Sequence, residues 1–336
     1  MTTMLSDDPA LPNLREALNP TAAARIFQEN GNLHPILRCP LVSATLVRHK
    51  PGRRAVIEYA FENHQRNETS LLIGKIRRQR SGRGAFDLLQ NFQRNGFDEG
   101  SLDNIFVPAP IAHIKPLRLN LQRKVTGTEA TQLLAGAHGV DVARRIAEAA
   151  YKIHRADIAP RHRHDMIDEL RFLHTRLDQV AQQQLAWCLR LDRLKRSASR
   201  IGMALTPSRT CGIHRDFYAD QIIVDGERLW LLDFDLYCAG DPGLDIGNFV
   251  GHITEQSLRL YGGPAALLEV ENTLIEHYAE LAGDEARPAI RVYTLLTLMR
   301  HIYLSTQHEE RQPYTEALLT LCERRAAAEL KNRVMG

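Results

Sequence analysis

Residues Cys211 to His252 read CGIHRDFYADQIIVDGERLWLLDFDLYCAGDPGLDIGNFVGH. His214-Arg215-Asp216 is followed, five residues after the Asp, by Gln221, and Asp233-Phe234-Asp235 closes the apolar run that comes next. The apolar runs Ile222-Ile223-Val224 and Leu229-Trp230-Leu231-Leu232 flank Asp225-Gly226-Glu227, which predicts two short buried strands joined by an Asp-Gly turn. A hairpin returns the chain to its start, so Asp233 is expected beside Gln221, where an amide oxygen and a carboxylate can share a hard cation such as Mg²⁺. Moving a phosphoryl group between two oxygens needs little covalent help. It needs positioning, a divalent metal and a carboxylate that orients the acceptor hydroxyl. The stretch offers two metal-ligand candidates and, in Asp216, one candidate base.

This ordered set resembles the catalytic segment of the aminoglycoside phosphotransferase and choline kinase families, the small-molecule branch of the protein-kinase-like fold. Their catalytic loop runs His-x-Asp with Asn five residues after the Asp, and their metal-binding Asp follows a hairpin. They commonly continue into Gly-Asp-Pro and Asp-Ile-Gly-Asn elements, matched here by Gly240-Asp241-Pro242 and Asp245-Ile246-Gly247-Asn248. A lone His-x-Asp carries no weight, whereas the set over about forty residues is specific. The resemblance implies an α+β, bilobal fold with an N-terminal antiparallel sheet lobe over residues 1–125 and a mainly helical lobe over 126–336. It also implies ATP and Mg²⁺ as cofactors. By the same likeness Asp216 orients the acceptor hydroxyl, Asp233 bridges metal to the β- and γ-phosphates, and Asp235 reaches a second metal or a basic acceptor. Strand alternation would point Asp235 the same way as Asp233. Asp245 is expected to cap a helix beginning at Ile246 and to brace the catalytic loop, with His214 structural and Asp241 a turn former.

One position departs from the pattern. Gln221 stands where the family carries Asn and sets the amide oxygen one methylene further from the backbone. Mg²⁺ tolerates little geometric slack. Two readings follow: the loop relaxes and metal still binds, or the chain is a weak or inactive homologue.

Upstream, Asn13 to Asn32 predicts an amphipathic helix with Leu14, Leu18, Ala22 and Ile26 on one stripe and Gly31 near its end. Leu41 to Lys50 and Arg54 to Glu62 read as strands about a Pro51-Gly52 turn, and Leu71 to Ile76 as a third strand, apolar except for Lys75. The resemblance makes Lys75 the lysine that reaches the α- and β-phosphates, under a covering turn at Lys50 to Arg54. That turn has the single glycine Gly52, so phosphate contact would rest on Arg53, Arg54 and backbone amides. The bland alternative for Lys75 is a snorkelling edge residue. A helix over Ala85 to Asn95 follows, without the Glu that such folds pair with the lysine. Asp87 can serve instead, although the helix dipole explains an acid in a first turn equally well. Ile105 to Pro110 and Leu117 to Val125 add two strand signals before Thr126-Gly127-Thr128 breaks the pattern. There the likeness places the crossover between lobes, with adenine against the backbone near Gln122 to Val125.

Beyond the crossover the periodicity is helical. Val142, Ile146, Ala149, Ala150 and Ile153 share one face ending at His154, read as a packed histidine, and Met166 to Leu205, Leu258 to Leu281 and Ile290 to Leu304 add further helix. With 44% hydrophobic and 25% charged residues in 336, the chain has the composition of an ordinary soluble protein, large enough for two lobes. No apolar stretch approaches the ~20 residues that cross a bilayer. The first residues carry early acids and no hydrophobic core, so cytoplasmic residence is expected. Five scattered cysteines without a Cys-x-x-Cys pair argue against a disulfide framework and a structural zinc site. A net charge of +3 is too small to indicate a nucleic-acid partner. Residues 44–94 nevertheless hold 11 Lys and Arg against 4 Asp and Glu, and Arg77, Arg78, Arg80 and Arg83 read as a solvated basic face without the aromatic interleaving that stacks bases.

The expected partner is a small-molecule hydroxyl acceptor, such as a sugar or amino alcohol. Polycationic acceptors want acidic walls and choline wants an aromatic cage; the residues after His252 select neither. The competing reading is a pseudokinase that binds nucleotide or a protein partner without efficient transfer. Transfer of AMP instead of phosphate has no feature in its favour.

Overall fold

Alternation decides the first sheet. Ala55, Ile57, Tyr59 and Phe61 are buried while their neighbours are half-buried, which is the pleat of a strand with one face on a core. The computed structural model describes residues 8–30, 34–63, 68–78, 83–206 and 209–335, with side chains to Asn332; Gly31 and Arg80 lie outside them. The strands are β1 (Leu41–Lys50), β2 (Arg54–Asn63), β3 (Glu68–Arg77), β4 (Ile105–Phe106), β5 (Pro110–Ile114), β6 (Leu119–Arg123), β7 (Thr128–Glu129), β8 (Cys211–Ile213), β9 (Ile222–Asp225), β10 (Arg228–Leu231) and β11 (Cys238–Gly240). The α-helices are α1 (Leu14–Leu18), α2 (Pro20–Asn30), α3 (Arg83–Phe92), α4 (Ala130–Leu133), α5 (Gly139–Arg155), α6 (Met166–Gln183), α7 (Cys188–Met203), α8 (Gly243–Tyr261), α9 (Leu268–Ala282), α10 (Arg287–Thr306) and α11 (Thr315–Met335).

The chain divides into two compact units. The first holds the residues up to Gly127 together with Gly226–Phe234, and the second holds Thr128–Asp225 and the chain from Asp235 onward.

In the first unit an antiparallel sheet runs in the order β1-β2-β3-β6-β5. Its buried face packs on α1 and α2, where Phe27 meets Tyr59 edge to face at 5.1 Å and the Tyr59 hydroxyl donates to the Ala17 carbonyl at 2.9 Å. The single helix expected over Asn13 to Asn32 is two helices. Pro20 drives Asn19 out of the helical region, to φ −87° and ψ 111°, and then opens α2 at its first position. The strand expected over Ile105 to Pro110 is likewise divided, because Pro108 and Pro110 carry no N–H for a continuous ladder. β4 pairs in parallel with β10, and β5 pairs with β6. Helix α3 ends at Phe92 in a π turn over Gln93–Phe97, where Gly96 has φ +81°.

In the second unit α8 is buried from Gly243 to Leu258 except at His252, so it is a core helix, covered on all sides. Helix α10, expected from the apolar run Ile290 to Leu304, lies against it. Small antiparallel pairs, β7 with β9 and β8 with β11, frame the loop that follows β8. All five cysteines are free thiols. Among the described residues no helix is long and apolar enough to cross a membrane.

Candidate active site

The first unit assembles a cationic cluster from strand register alone. β2 and β3 pair with Val56 opposite Lys75 and Arg54 opposite Arg77, and two-residue alternation puts Lys75 and Arg77 on one face of β3. All three cations reach Asp233, with Arg54 Nη1 at 3.3 Å from Oδ2, Arg77 Nη2 at 3.3 Å from Oδ1 and Lys75 Nζ at 3.7 Å from Oδ1. Asp233 stands two residues past β10 with φ +58°, a left-handed conformation that Asp tolerates better than most residues. Phe234 anchors it from the other side, its ring 4.2 Å from that of Phe92 in α3. Burial lowers the pKa of the Lys75 ammonium; Asp233 opposes the shift, while Arg77 and Arg54 add to it. The helix carboxylate Asp87 lies 3.9 Å from Arg83, one turn away on α3.

The turn between β1 and β2 is committed elsewhere. Gly52, at φ +70°, donates its N–H to Asp8 Oδ2 at 2.9 Å, and the same oxygen lies 2.9 Å from His49 Nε2. Hydrogen bonds from the Gly52 amide and His49 hold the Asp8 carboxyl below its ordinary pKa. Arg53 is exposed at this turn and stands outside the Asp233 cluster, its N–H bonded to the Lys50 carbonyl at 3.0 Å.

In the second unit the loop after β8 is gripped on both sides of Asp216. Asp245, fully buried in the first turn of α8, accepts from the backbone N–H of His214 at 2.7 Å and of Arg215 at 2.6 Å. A carboxylate only accepts, so His154 Nε2, 2.9 Å away, carries a proton toward it; the Tyr278 hydroxyl meets Nδ1 at 2.8 Å. These bonds hold Arg215 at φ +70°, where a residue with a Cβ costs roughly 1 kcal/mol. On the far side Asn248 donates Nδ2–H to the Phe217 carbonyl at 2.9 Å, and the Phe217 ring is buried 5.3 Å from that of Phe249. Asn248 is oriented in turn by Arg300, which donates to its Oδ1 and lies 3.6 Å from Glu169. Asp216 itself is half-buried and carries no hydrogen bond or ion pair among the described residues.

Asp245 is not a helix cap. α8 begins at Gly243, two residues before it, and the first-turn amide of Gly243 is taken by Asp241 Oδ1 at 2.8 Å. Gln221 lies in a 3-10 turn, Ala219–Gln221, and its Nε2 donates to the Tyr218 hydroxyl at 3.0 Å. Tyr218 stacks on His252, ring centroids 4.5 Å apart. Asp235 sits in the 3-10 turn Phe234–Leu236, so strand alternation does not set its direction; it belongs to the second unit, whereas Asp233 belongs to the first. Among the described residues no three His, Cys, Asp or Glu side chains gather into a metal site of their own.

The model of the phosphotransferase enzyme family matches residues 65–291, more than half of the chain. The chain belongs to that family. Solved structures agree at the level of fold. A choline/ethanolamine kinase family protein from Mesorhizobium loti is 14% identical, with a TM-score of 0.60 over 94% of this chain and 99% of that one. An amicoumacin kinase in complex with AMP-PNP, Ca²⁺ and Ami is 14% identical, with a TM-score of 0.57 over 84% and 88%. The ADP-bound aminoglycoside phosphotransferase APH(2'')-Ib is 14% identical, with a TM-score of 0.55 over 91% and 98%. A search of the curated proteins finds no match. The chain thus has the protein-kinase-like α+β fold that its catalytic segment resembles.

The sequence pattern did not single out Arg77, which reads there as a solvated residue. The signal was present, since Arg77 is two residues from Lys75 and must share its face. It also missed Asp8, Asn248 and Arg300 as partners of the turn and the loop. Their partners lie 44, 31 and 52 positions away, beyond any local pattern.

Proposed function

We propose that the protein is an ATP- and Mg²⁺-dependent phosphotransferase that moves the γ-phosphate to a hydroxyl of a small molecule such as a sugar or amino alcohol. The observation that carries this reading is the state of the loop: its residues on either side of Asp216 are fixed by Asp245 and Asn248, while Asp216 has no hydrogen-bond or ion-pair partner among the described residues. A carboxylate held in place with its acceptor capacity unused suits the task of orienting a hydroxyl and receiving its proton. In the first unit Arg54 and Lys75 supply charge for the nucleotide phosphates. Gln221, Asp233 and Asp235 are oxygen donors of the kind a hard cation takes, one or two from protein and the remainder from phosphate and water. Such a cation neutralises charge on the phosphoryl oxygens. The family model, and the nucleotides bound to proteins of the same fold, support the reading.

A second reading has its own observation. The Gln221 amide is engaged by Tyr218, and the Asp233 carboxylate by three cations, as a pseudokinase scaffold would allow. Calorimetry with ATP and Mg²⁺ and a metabolite panel scored for ATP consumption separate the two. Asp216→Ala is expected to bind ATP as the wild type does and to lose phosphate transfer by about 10²-fold or more. Equal turnover in variant and wild type removes Asp216 from its role, and nucleotide binding without consumption across the panel favours the scaffold.

A further inference from the structure

We infer that Arg54 and Arg77 form a cross-strand clamp for the nucleotide's phosphates that works without a divalent cation, so that nucleotide binds first and the metal enters only once phosphate has drawn the arginines off Asp233. The inference rests on the nucleotide-binding reading above and adds to it which residues do the binding and in what order.

Arg54 and Arg77 are direct partners across β2 and β3. Like charges facing each other across a strand pair destabilise it unless an anion lies between them. In this structure the anion is the Asp233 carboxylate, 3.3 Å from each guanidinium, with Lys75 at 3.7 Å. Two oxygens of one carboxylate meeting two guanidinium forks and an ammonium resemble the way phosphate oxygens are held, and guanidinium forks match phosphate as well as carboxylate. The surrounding chain favours the stronger anion: residues 44–94 carry 11 cationic side chains against 4 acidic ones.

The usual alternative for holding phosphate is closed. The one glycine of the covering turn, Gly52, gives its N–H to Asp8, and Arg53 points to solvent. Recognition therefore falls on side chains of the sheet face. A divalent cation arriving alone would meet three positive groups around Asp233 and be repelled. Once the polyphosphate takes the guanidinium groups, the Asp233 oxygens become available together with phosphate oxygens, which is the mixed ligand set that Mg²⁺ prefers.

The test is calorimetry on the full chain with ATP in EDTA, ATP with Mg²⁺, and Mg²⁺ alone, for the wild type and for Arg54→Gln, Arg77→Gln and Arg78→Gln. Arg78 is the charge-matched control, because it lines a different cavity with Asp8, His49 and Arg118. Wild type is expected to bind ATP in EDTA within about tenfold of its affinity with Mg²⁺, and Mg²⁺ alone to give no binding heat. Arg54→Gln and Arg77→Gln should each weaken binding in EDTA by about 10- to 100-fold, as loss of a charged hydrogen-bond donor does. Arg78→Gln should change it by less than about threefold, because an exposed charge without an ion pair to Asp233 among the described residues is largely screened by solvent and salt. Arg77→Lys keeps the charge and stem and stands in where the Gln variant melts early; it should lie between the two. ATP binding that requires Mg²⁺, with Arg77→Gln equal to wild type, overturns the clamp and leaves the phosphotransferase reading intact. No nucleotide binding under any condition overturns that reading as well.

Discussion

Replacing Asp245 by Asn tests the idea that one buried carboxylate shapes the loop around Asp216. The substitution is isosteric, so it changes charge and donor pattern without opening a cavity. Asp245 accepts three hydrogen bonds, at 2.7 Å from His214 N, 2.6 Å from Arg215 N and 2.9 Å from His154 Nε2. Asn retains one acceptor oxygen. If that oxygen serves Arg215, the new amide N–H₂ faces both the His214 N–H and His154. The histidine can adapt by reversing its tautomer, accepting from Asn and donating to the Tyr278 oxygen. The backbone N–H of His214 cannot adapt and is left buried without an acceptor, a loss of about 1–3 kcal/mol. The bond to Arg215 also falls from a charged to a neutral acceptor, about 1 kcal/mol more. A total of about 2–4 kcal/mol is expected as a lower urea midpoint at unchanged slope. Positioning of Asp216 depends on the same bonds, and a loss of about 2–3 kcal/mol there lowers kcat by roughly 30- to 150-fold. Nucleotide affinity should stay within about twofold, a factor well below the tenfold that 1.4 kcal/mol represents, because Arg54, Lys75 and Arg77 belong to the first unit. Urea unfolding followed by tryptophan fluorescence, calorimetry and a coupled ATP assay read the three quantities. Stability within about 0.5 kcal/mol of wild type, the scatter of ordinary surface substitutions, together with unchanged turnover would refute the reasoning.

Two further variants probe the helical unit. Gly247 lies where a Cβ would come within 2.6 Å of Tyr293 Cβ, 2.7 Å of Thr294 N and 2.9 Å of Ile290 O, so Gly247→Ala must push α8 away from α10 and should cost about 1–3 kcal/mol in urea unfolding. A wild-type midpoint would show that the two helices yield freely. Glu271 is buried, with the Thr254 hydroxyl donating to it at 2.7 Å, and burial lifts its pKa to about 7. The folded chain therefore holds this proton between the ordinary carboxylate pKa and about 7 while the unfolded chain releases it. Stability from this group is present at low pH and is lost as pH rises through that window, by about 3 kcal/mol. Glu271→Gln should match wild type in thermal melts at pH 5 and exceed it at pH 8. An equal difference at both pH values would contradict the assignment.

Much of the fold is legible because its signals are local. The pleat of β2 shows in alternation over eight residues, and the loop from His214 to Gln221 shows in fixed spacing. The errors arise where one residue overrides a trend. Pro20 cuts a periodic helix in two, the prolines around Ala109 separate β4 from β5, and α8 starts at Gly243 because Asp241 takes its first amide.

By itself the sequence determined most element types and the family of the catalytic segment, and it singled out Asp216, Asp233 and Lys75 as candidates, since strand and helix periods and motif spacings are properties of neighbouring residues. Tertiary structure alone decided who partners whom. Arg77 and Asp233 are 156 positions apart, Gly52 and Asp8 44, and Asp245 and His214 31. A charged or hydrogen-bonding side chain of this length has many compatible partners along the chain, and only the packing of strands and helices leaves one within reach. That packing turned a basic strand end into a ring of cations around Asp233, and it set Asp245 inside the first turn of α8, not at its cap, from where it makes the expected brace of the loop that carries Asp216.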